Sequence, residues 1–256
     1  MAEQTGAALN ASRVLDLLWG DAEPGSRGPK PALNVPRIVD AGIAIAESDG
    51  LAAVSMRKVA ERLGFTTMSL YRHVPGKDEL LELMIDRAYD DPPEWESAPE
   101  PWRDRLALWA RAQCELFQRR PWILQVPMMG PPMGPTGVAW FDWALRALRD
   151  TGLTAGEQVD VVTTITGFVR GNAQIRFNLS ESARRTGIGW EDWGHLYGQF
   201  LRKVVDAGRY PALSEVIESG TFDAPEQGDD GVDANFEFGL QVILDGVEAL
   251  VDRRAN

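Results

Sequence analysis

Within the segment Thr66–Lys77, TTMSLYRHVPGK, the chain crowds together Thr66, Thr67, Ser69, Tyr71, Arg72, His73 and Lys77. Each of these side chains can donate a hydrogen bond. Such a set suits a polyanion with readable edges. Arg72 fits a bidentate contact with guanine, and Thr67 or Met68 can pack on a thymine methyl. Ser69, Tyr71, His73 and Lys77 offer donors to phosphates, contacts that fix position without reading sequence. Arg57, upstream, is placed to reach either base or backbone. Leu70 and Val74 are left for the core.

Short helices must position these groups. Asn34 is a good N-cap and Pro36 suits the first turn of a helix that Gly50 ends, with Ile38, Ala41, Ile45 and Ala46 near one face. Ser55 caps a second helix. It carries Val59, Ala60 and Leu63 inward and Arg57, Lys58, Glu61 and Arg62 outward. Gly64 supplies the turn, where a left-handed backbone is cheap only for glycine. Thr66 caps a third helix over 67–73, which Pro75 and Gly76 stop. A fourth runs from Lys77 to about Ala88, with Asp78 and Glu79 at its positive end. Two helices joined by a glycine turn, the second rich in outward donors, make a helix-turn-helix whose second helix enters the major groove.

The segment MRKVAERLGFTTMSLYRHVPGKDELL resembles the DNA-binding domain of the TetR family of bacterial transcriptional regulators over residues 33–90. The bracing helix ends in leucine-glycine, leucine-tyrosine-x-histidine follows, and a lysine opens the fourth helix. The resemblance implies that Thr67, Met68 and Arg72 read bases. It implies that Ser69, Tyr71, His73 and Lys77 hold phosphates, with Arg57 as a further contact. It also implies an all-α C-terminal domain that holds a small ligand and dimerises through a four-helix bundle.

The rest of the sequence is compatible with that implication. After Asp91-Pro92-Pro93 the pattern becomes long amphipathic helices, expected at 102–119, 136–151, 155–179, 190–207 and 236–253. Few segments look like strands, so the fold class is all-α. The expected organisation is a flexible N-terminal arm with a short helix at 1–33, a helix-turn-helix DNA-binding domain at 34–90, and a helical effector-binding and dimerisation domain at 91–256. The best bundle helices are 155–179, with Val159, Val162, Ile165, Thr166 and Val169, and 236–253, with Phe238, Val242, Leu244, Val247 and Leu250.

Charge is unevenly spread. The chain carries −12 overall, yet Arg27–Lys77 holds eight Lys/Arg against four Asp/Glu. A small basic module on an acidic body would orient the protein on DNA and suppress non-specific binding by the body. The arm, with Arg27 and Lys30, could run along the backbone or into a minor groove.

Nine tryptophans and a cluster of Met and Phe describe an adaptable site for a flat apolar effector. The expected ligand-binding residues are Phe117, Met128, Met129, Trp140, Trp143, Phe168, Arg176, Phe177 and Trp193. For any one of them, ordinary core packing is the competing reading. The loop VPMMGPPMGPTG could form a pocket lip, but it lacks the Lys-Ser/Thr of a phosphate loop.

No HExxH, GxSxG or Cys/His metal spacing appears, so no enzyme activity, catalytic residue, cofactor or metal is expected. The start of the chain lacks a charged segment followed by a long apolar run, and no apolar stretch reaches a membrane span. The single cysteine, Cys114, cannot form an internal disulfide and favours a reducing cytoplasm. The leading expectation is a ligand-responsive repressor that clamps a palindromic operator as a homodimer and is released by an apolar or aromatic small molecule. The alternatives are a DNA-binding activator, or a small-molecule binding protein or enzyme with a vestigial helix-turn-helix.

Overall fold

The computed structural model describes residues 13–20, 33–127, 130–222 and 228–255, with side chains at 190–193, 228–233 and 255 left undescribed. The arm carrying Arg27 and Lys30 lies outside the described residues. So do Met128 and Met129, and the side chain of Trp193. Every regular element among the described residues is helical, so the chain is all-α.

A short helix spans 13–19. The helices that follow are α1 (Val35–Asp49), α2 (Met56–Leu63), α3 (Thr67–Tyr71), α4 (Lys77–Ala88), α5 (Trp102–Arg119), α6 (Pro135–Leu148), α7 (Ala155–Thr186), α8 (Trp190–Val204), α9 (Pro211–Glu218) and α10 (Gly228–Ala255). Two 3-10 turns, Leu51–Ala53 and Pro121–Gln125, join α1 to α2 and follow α5. Contacts divide the chain into two compact units, residues 1–163 with 254–256, and residues 164–253. The division falls inside α7.

In the first unit, α1 packs against α2 and α4, and α2 against α3. Ile38, Ile45, Val59, Leu70, Val74, Leu80 and Met84 are fully buried there. The approach of α1 to α4 depends on Gly42, where a methyl group would sit 2.7 Å from the Met84 sulfur. α5 packs against α6 and the second 3-10 turn, and α4 also touches α6. The linker between α4 and α5 is held by indoles. Trp140 Nε1 donates to Asp90 O and Trp143 Nε1 to Pro93 O, each at 2.7 Å. Trp95 stands edge-on to Trp143 at 5.1 Å, with the Arg105 and Arg146 guanidiniums 4.3 and 4.0 Å from its ring centre. Both contacts are favourable for a cation beside an indole.

In the second unit, α9 packs against α8, and the Phe168 and Phe236 rings stack 5.5 Å apart. Gly239 makes room for that stack, since a Cβ there would lie 2.6 Å from the Phe168 ring.

Several expected bounds shift. α3 closes at Tyr71 and not at His73, because the His73 and Val74 amides both turn back to Leu70 O. α6 stops at Leu148, where Thr151 folds back to cap the Leu148 carbonyl. α7 continues to Thr186 and α10 begins at Gly228. Neither extension has an apolar stripe to betray it. The short α9 was not expected at all.

Candidate nucleic-acid interface

The turn between α2 and α3 is built by local chemistry. Ser55 accepts from Lys58 N at 3.2 Å and opens α2. Gly64 closes it at φ 75, ψ 28. The Phe65 amide bonds back to Ala60 O at 3.0 Å and the Gly64 amide to Glu61 O at 3.2 Å, the paired closure of a glycine-terminated helix. Thr66 then caps α3, its Oγ1 accepting from Ser69 N at 3.3 Å and lying 2.9 Å from Ser69 Oγ. Leu70 and Val74, fully buried, pin the far side of α3 to the core.

With that face anchored, the opposite face must project. Met68 is 72% exposed and Tyr71 43% exposed, a wasteful placement for large apolar groups unless something covers them. Arg72, Lys77 and Arg57 are exposed, while Thr67, Ser69 and His73 are half-buried. Arg72 keeps helical backbone angles, φ −71 and ψ −25, so its side chain continues the register of α3. Arg57 lies 3.6 Å from Glu61 one turn on, both of them open to water. Such an exposed pair is weak and yields readily to a phosphate. Lys58 is less available, since it pairs with Asp49 at the end of α1 and holds that carboxyl below its ordinary range. The eight residues expected to touch DNA therefore lie on α2, on α3, in the turn after it and at the first residue of α4. Met68 and Tyr71 form the outward face of α3, and the exposed Arg72 follows directly at its end.

Two models of known families match the chain. One, described as the tetracyclin repressor-like C-terminal domain, spans residues 96–251, more than half of the chain. The other, bacterial regulatory proteins of the tetR family, spans residues 38–84 and so takes in the helix-turn-helix. The chain belongs to the TetR family. A relative from Streptomyces coeruleorubidus, the HTH-type transcriptional repressor DrrR1, is 40% identical over 255 residues, covering 98% of this chain and 90% of that protein. The tetracycline repressor protein class A from transposon 1721 of Escherichia coli is 30% identical over 214 residues, covering 82% and 88%. Among solved structures, the TetR family protein ActR of Streptomyces coelicolor in complex with actinorhodin superposes with a TM-score of 0.68 at 28% identity, covering 86% of this chain and 97% of ActR. This TetR-family chain is accordingly a transcriptional regulator.

The residues expected to hold an effector fall in both units. In the first unit, Phe117, Trp140 and Trp143 are buried. Tyr89 meets Phe117 and Trp140 edge-on at 6.3 and 6.1 Å. The indole N–H groups of Trp140 and Trp143 are already committed to the linker carbonyls. In the second unit, Phe168 stacks on Phe236, and Arg176 and Phe177 are half-buried along α7.

Sequence reasoning missed the charged residues around the linker. Arg120 donates to the Ala88 carbonyl and lies 3.4 Å from Asp90 and 3.5 Å from Glu47 at the end of α1. Arg119 holds the other Asp90 oxygen at 2.7 Å. Asp86 on α4 accepts from Thr136 N at 3.1 Å and from Gly137 N at 3.0 Å, the first amides of α6. These partners are some thirty to seventy residues away in sequence, and no local pattern announces them.

Proposed function

We propose that this TetR-family regulator binds a palindromic operator as a homodimer and that a flat apolar or aromatic small molecule releases it. Residues 34–90 serve as the DNA-binding module, and residues 91–256 bind the effector and dimerise. The observation that carries the DNA half is the outward face of α3, where Met68, Tyr71 and Arg72 stand exposed above a buried Leu70 and Val74. Arg72, Thr67 and Met68 read bases in this proposal. Ser69, Tyr71, His73, Lys77 and Arg57 hold phosphates. A two-fold operator calls for two copies of α3 one helical turn of DNA apart. Exposed Phe238 and Val242, one turn apart on α10, supply apolar surface for pairing. Val162, Ile165, Val169, Leu244 and Val247 are buried within the single chain and are not needed for it.

The candidate effector contacts are Phe117, Trp140 and Trp143 in the first unit and, taken separately, Phe168, Arg176 and Phe177 in the second. Trp140 and Trp143 would offer ring surface and not hydrogen bonds, their N–H groups being occupied. That ActR is solved in complex with actinorhodin supports a small-molecule effector. The protein acts by binding, with no catalytic step, and it works where DNA is, in the cytoplasm. No helix among the described residues is long and apolar enough to cross a membrane.

The test is a titration of operator duplex with the purified chain, repeated with R72A and Y71A and with aromatic compounds added. Loss of binding in both variants and release by an aromatic compound support the proposal. Unchanged binding in both variants removes α3 as the reading helix.

A further inference from the structure

The Asp86 carboxylate joins two helices that do different jobs. α4 begins at Lys77, beside the DNA-facing turn, and Asp86 lies nine residues on, about 13 Å along the helix. There, Asp86 Oδ1 accepts from both the Thr136 and Gly137 amides and so caps α6 from another element. α6 has no side-chain cap of its own; its N-cap residue is Gly134. A negative group at that position meets the positive end of the helix and satisfies two otherwise unpaired amides.

Gly134 is shaped for this contact. Its backbone, φ −85 and ψ 159, is open to any residue, so glycine is not needed for conformation. It is needed for space, because a methyl group there would overlap the Asp86 carboxylate. The same loop is tied from a third side, with Trp19 Nε1 donating to Met133 O at 2.7 Å. Downstream on α6, Trp140 and Trp143 hold the linker that leaves α4. A rigid helix with its start fixed to α4 and its middle fixed to the linker cannot shift without pulling on α4.

We propose that Asp86 is the positioning residue that couples the two functions of the chain, transmitting movement of α6 to α4 and hence to the DNA-facing turn. This rests on the DNA-binding reading above. Asp86 touches neither DNA nor effector in this scheme; it acts through α4. By linkage, whatever the effector does to DNA binding through this contact, DNA must do to α6 in return. The coupling can therefore be read from the DNA side with no effector in hand.

The experiment uses the full chain, its D86A, D86N and G134A variants, and the D86A/G134A double variant. First, urea unfolding gives a double-mutant cycle. Each single truncation or insertion lowers the midpoint, and G134A costs less once D86A has removed the carboxylate it would strike, the Cβ at 86 still lying 2.8 Å from the added methyl. Second, amide exchange of a peptide spanning 134–140 is followed by mass spectrometry with and without operator duplex. Operator binding changes that exchange in the parent chain and in D86N, which keeps an acceptor oxygen. In D86A the Thr136 and Gly137 amides exchange about tenfold faster, as expected for a lost cap, and no longer respond to DNA. Additive effects of D86A and G134A would overturn the contact. A D86A chain that binds DNA and still shows the DNA-dependent change would overturn the coupling alone. A parent chain that binds no DNA would sink this inference together with the function it rests on.

Discussion

Arg72 and Lys77 are both exposed cations near the end of α3, yet base reading falls to one and phosphate contact to the other, and the difference is measurable. Arg72→Ala should cost about 1–3 kcal/mol of operator affinity and relax preference at one base position. Lys77→Ala should weaken specific and random duplexes alike and reduce the salt dependence of binding by about one ion. Fluorescence anisotropy across a salt series separates the two. If Lys77→Ala alters sequence preference and Arg72→Ala does not, the assignments are reversed. Two neighbouring residues test the scaffold. Thr66→Ala should lose about 1 kcal/mol of stability with the cap of α3. Gly64→Ala should lose about 1–2 kcal/mol, because φ is 75. Both are read from urea unfolding without DNA. These positions were legible in the sequence because each acts within a few residues of itself: a cap bonds an amide three residues on, and a turn glycine answers to its own φ. Asp86 and Arg120 were illegible for the opposite reason. Asp86 bonds amides 50 residues away, and Arg120 pairs with Glu47 across four helices of sequence.

At the scale of elements, the helix-turn-helix emerged where expected because its apolar positions, caps and breakers agree. Leu70 and Val74 are buried and Met68 is not, as the spacing required. Leu70→Ala should cost about 2–5 kcal/mol and release α3 from the core while leaving its outward face chemically intact. Operator binding should then fall with the folded fraction and not with any lost contact. The aromatic load was harder to read. Indole and phenyl groups suit a ligand wall or a packed strut equally well, and the residue type does not choose. Trp140 and Trp143 prove to fasten the α4–α5 linker, a use visible only once the carbonyls of Asp90 and Pro93 come within reach. One element junction is sensitive to acid. Arg254 and the Thr154 cap together hold the Glu157 carboxyl at about 2, against an ordinary 4.5. A depressed carboxyl releases its proton more readily folded than unfolded. Its stabilisation is therefore complete above about pH 4.5 and is lost as pH falls toward 2. In Arg254→Ala the fall of thermal midpoint across that window should flatten. An unchanged slope would remove the ion pair from the acid response.

For the whole molecule, the separation of charge is the feature most readily seen in sequence and the hardest to see in any one contact. A basic segment on an acidic body should bind DNA in one orientation only. Pairing of two copies is expected to use exposed apolar surface on α10. Phe238→Glu with Val242→Glu should shift the chain toward monomer in sedimentation velocity and weaken a two-site operator far more than a half-site. An unaltered dimer would move the pairing surface elsewhere. The proposed function requires this TetR-family chain to read a specific duplex through α3. The measurement that tests it most directly is a mobility shift of the purified chain on the DNA flanking its own coding region, across a salt series and against random duplex. A specific, salt-sensitive complex at one palindrome, lost in R72A and Y71A, is the predicted result. Equal affinity for flanking and random DNA, unaffected by either substitution, would contradict it.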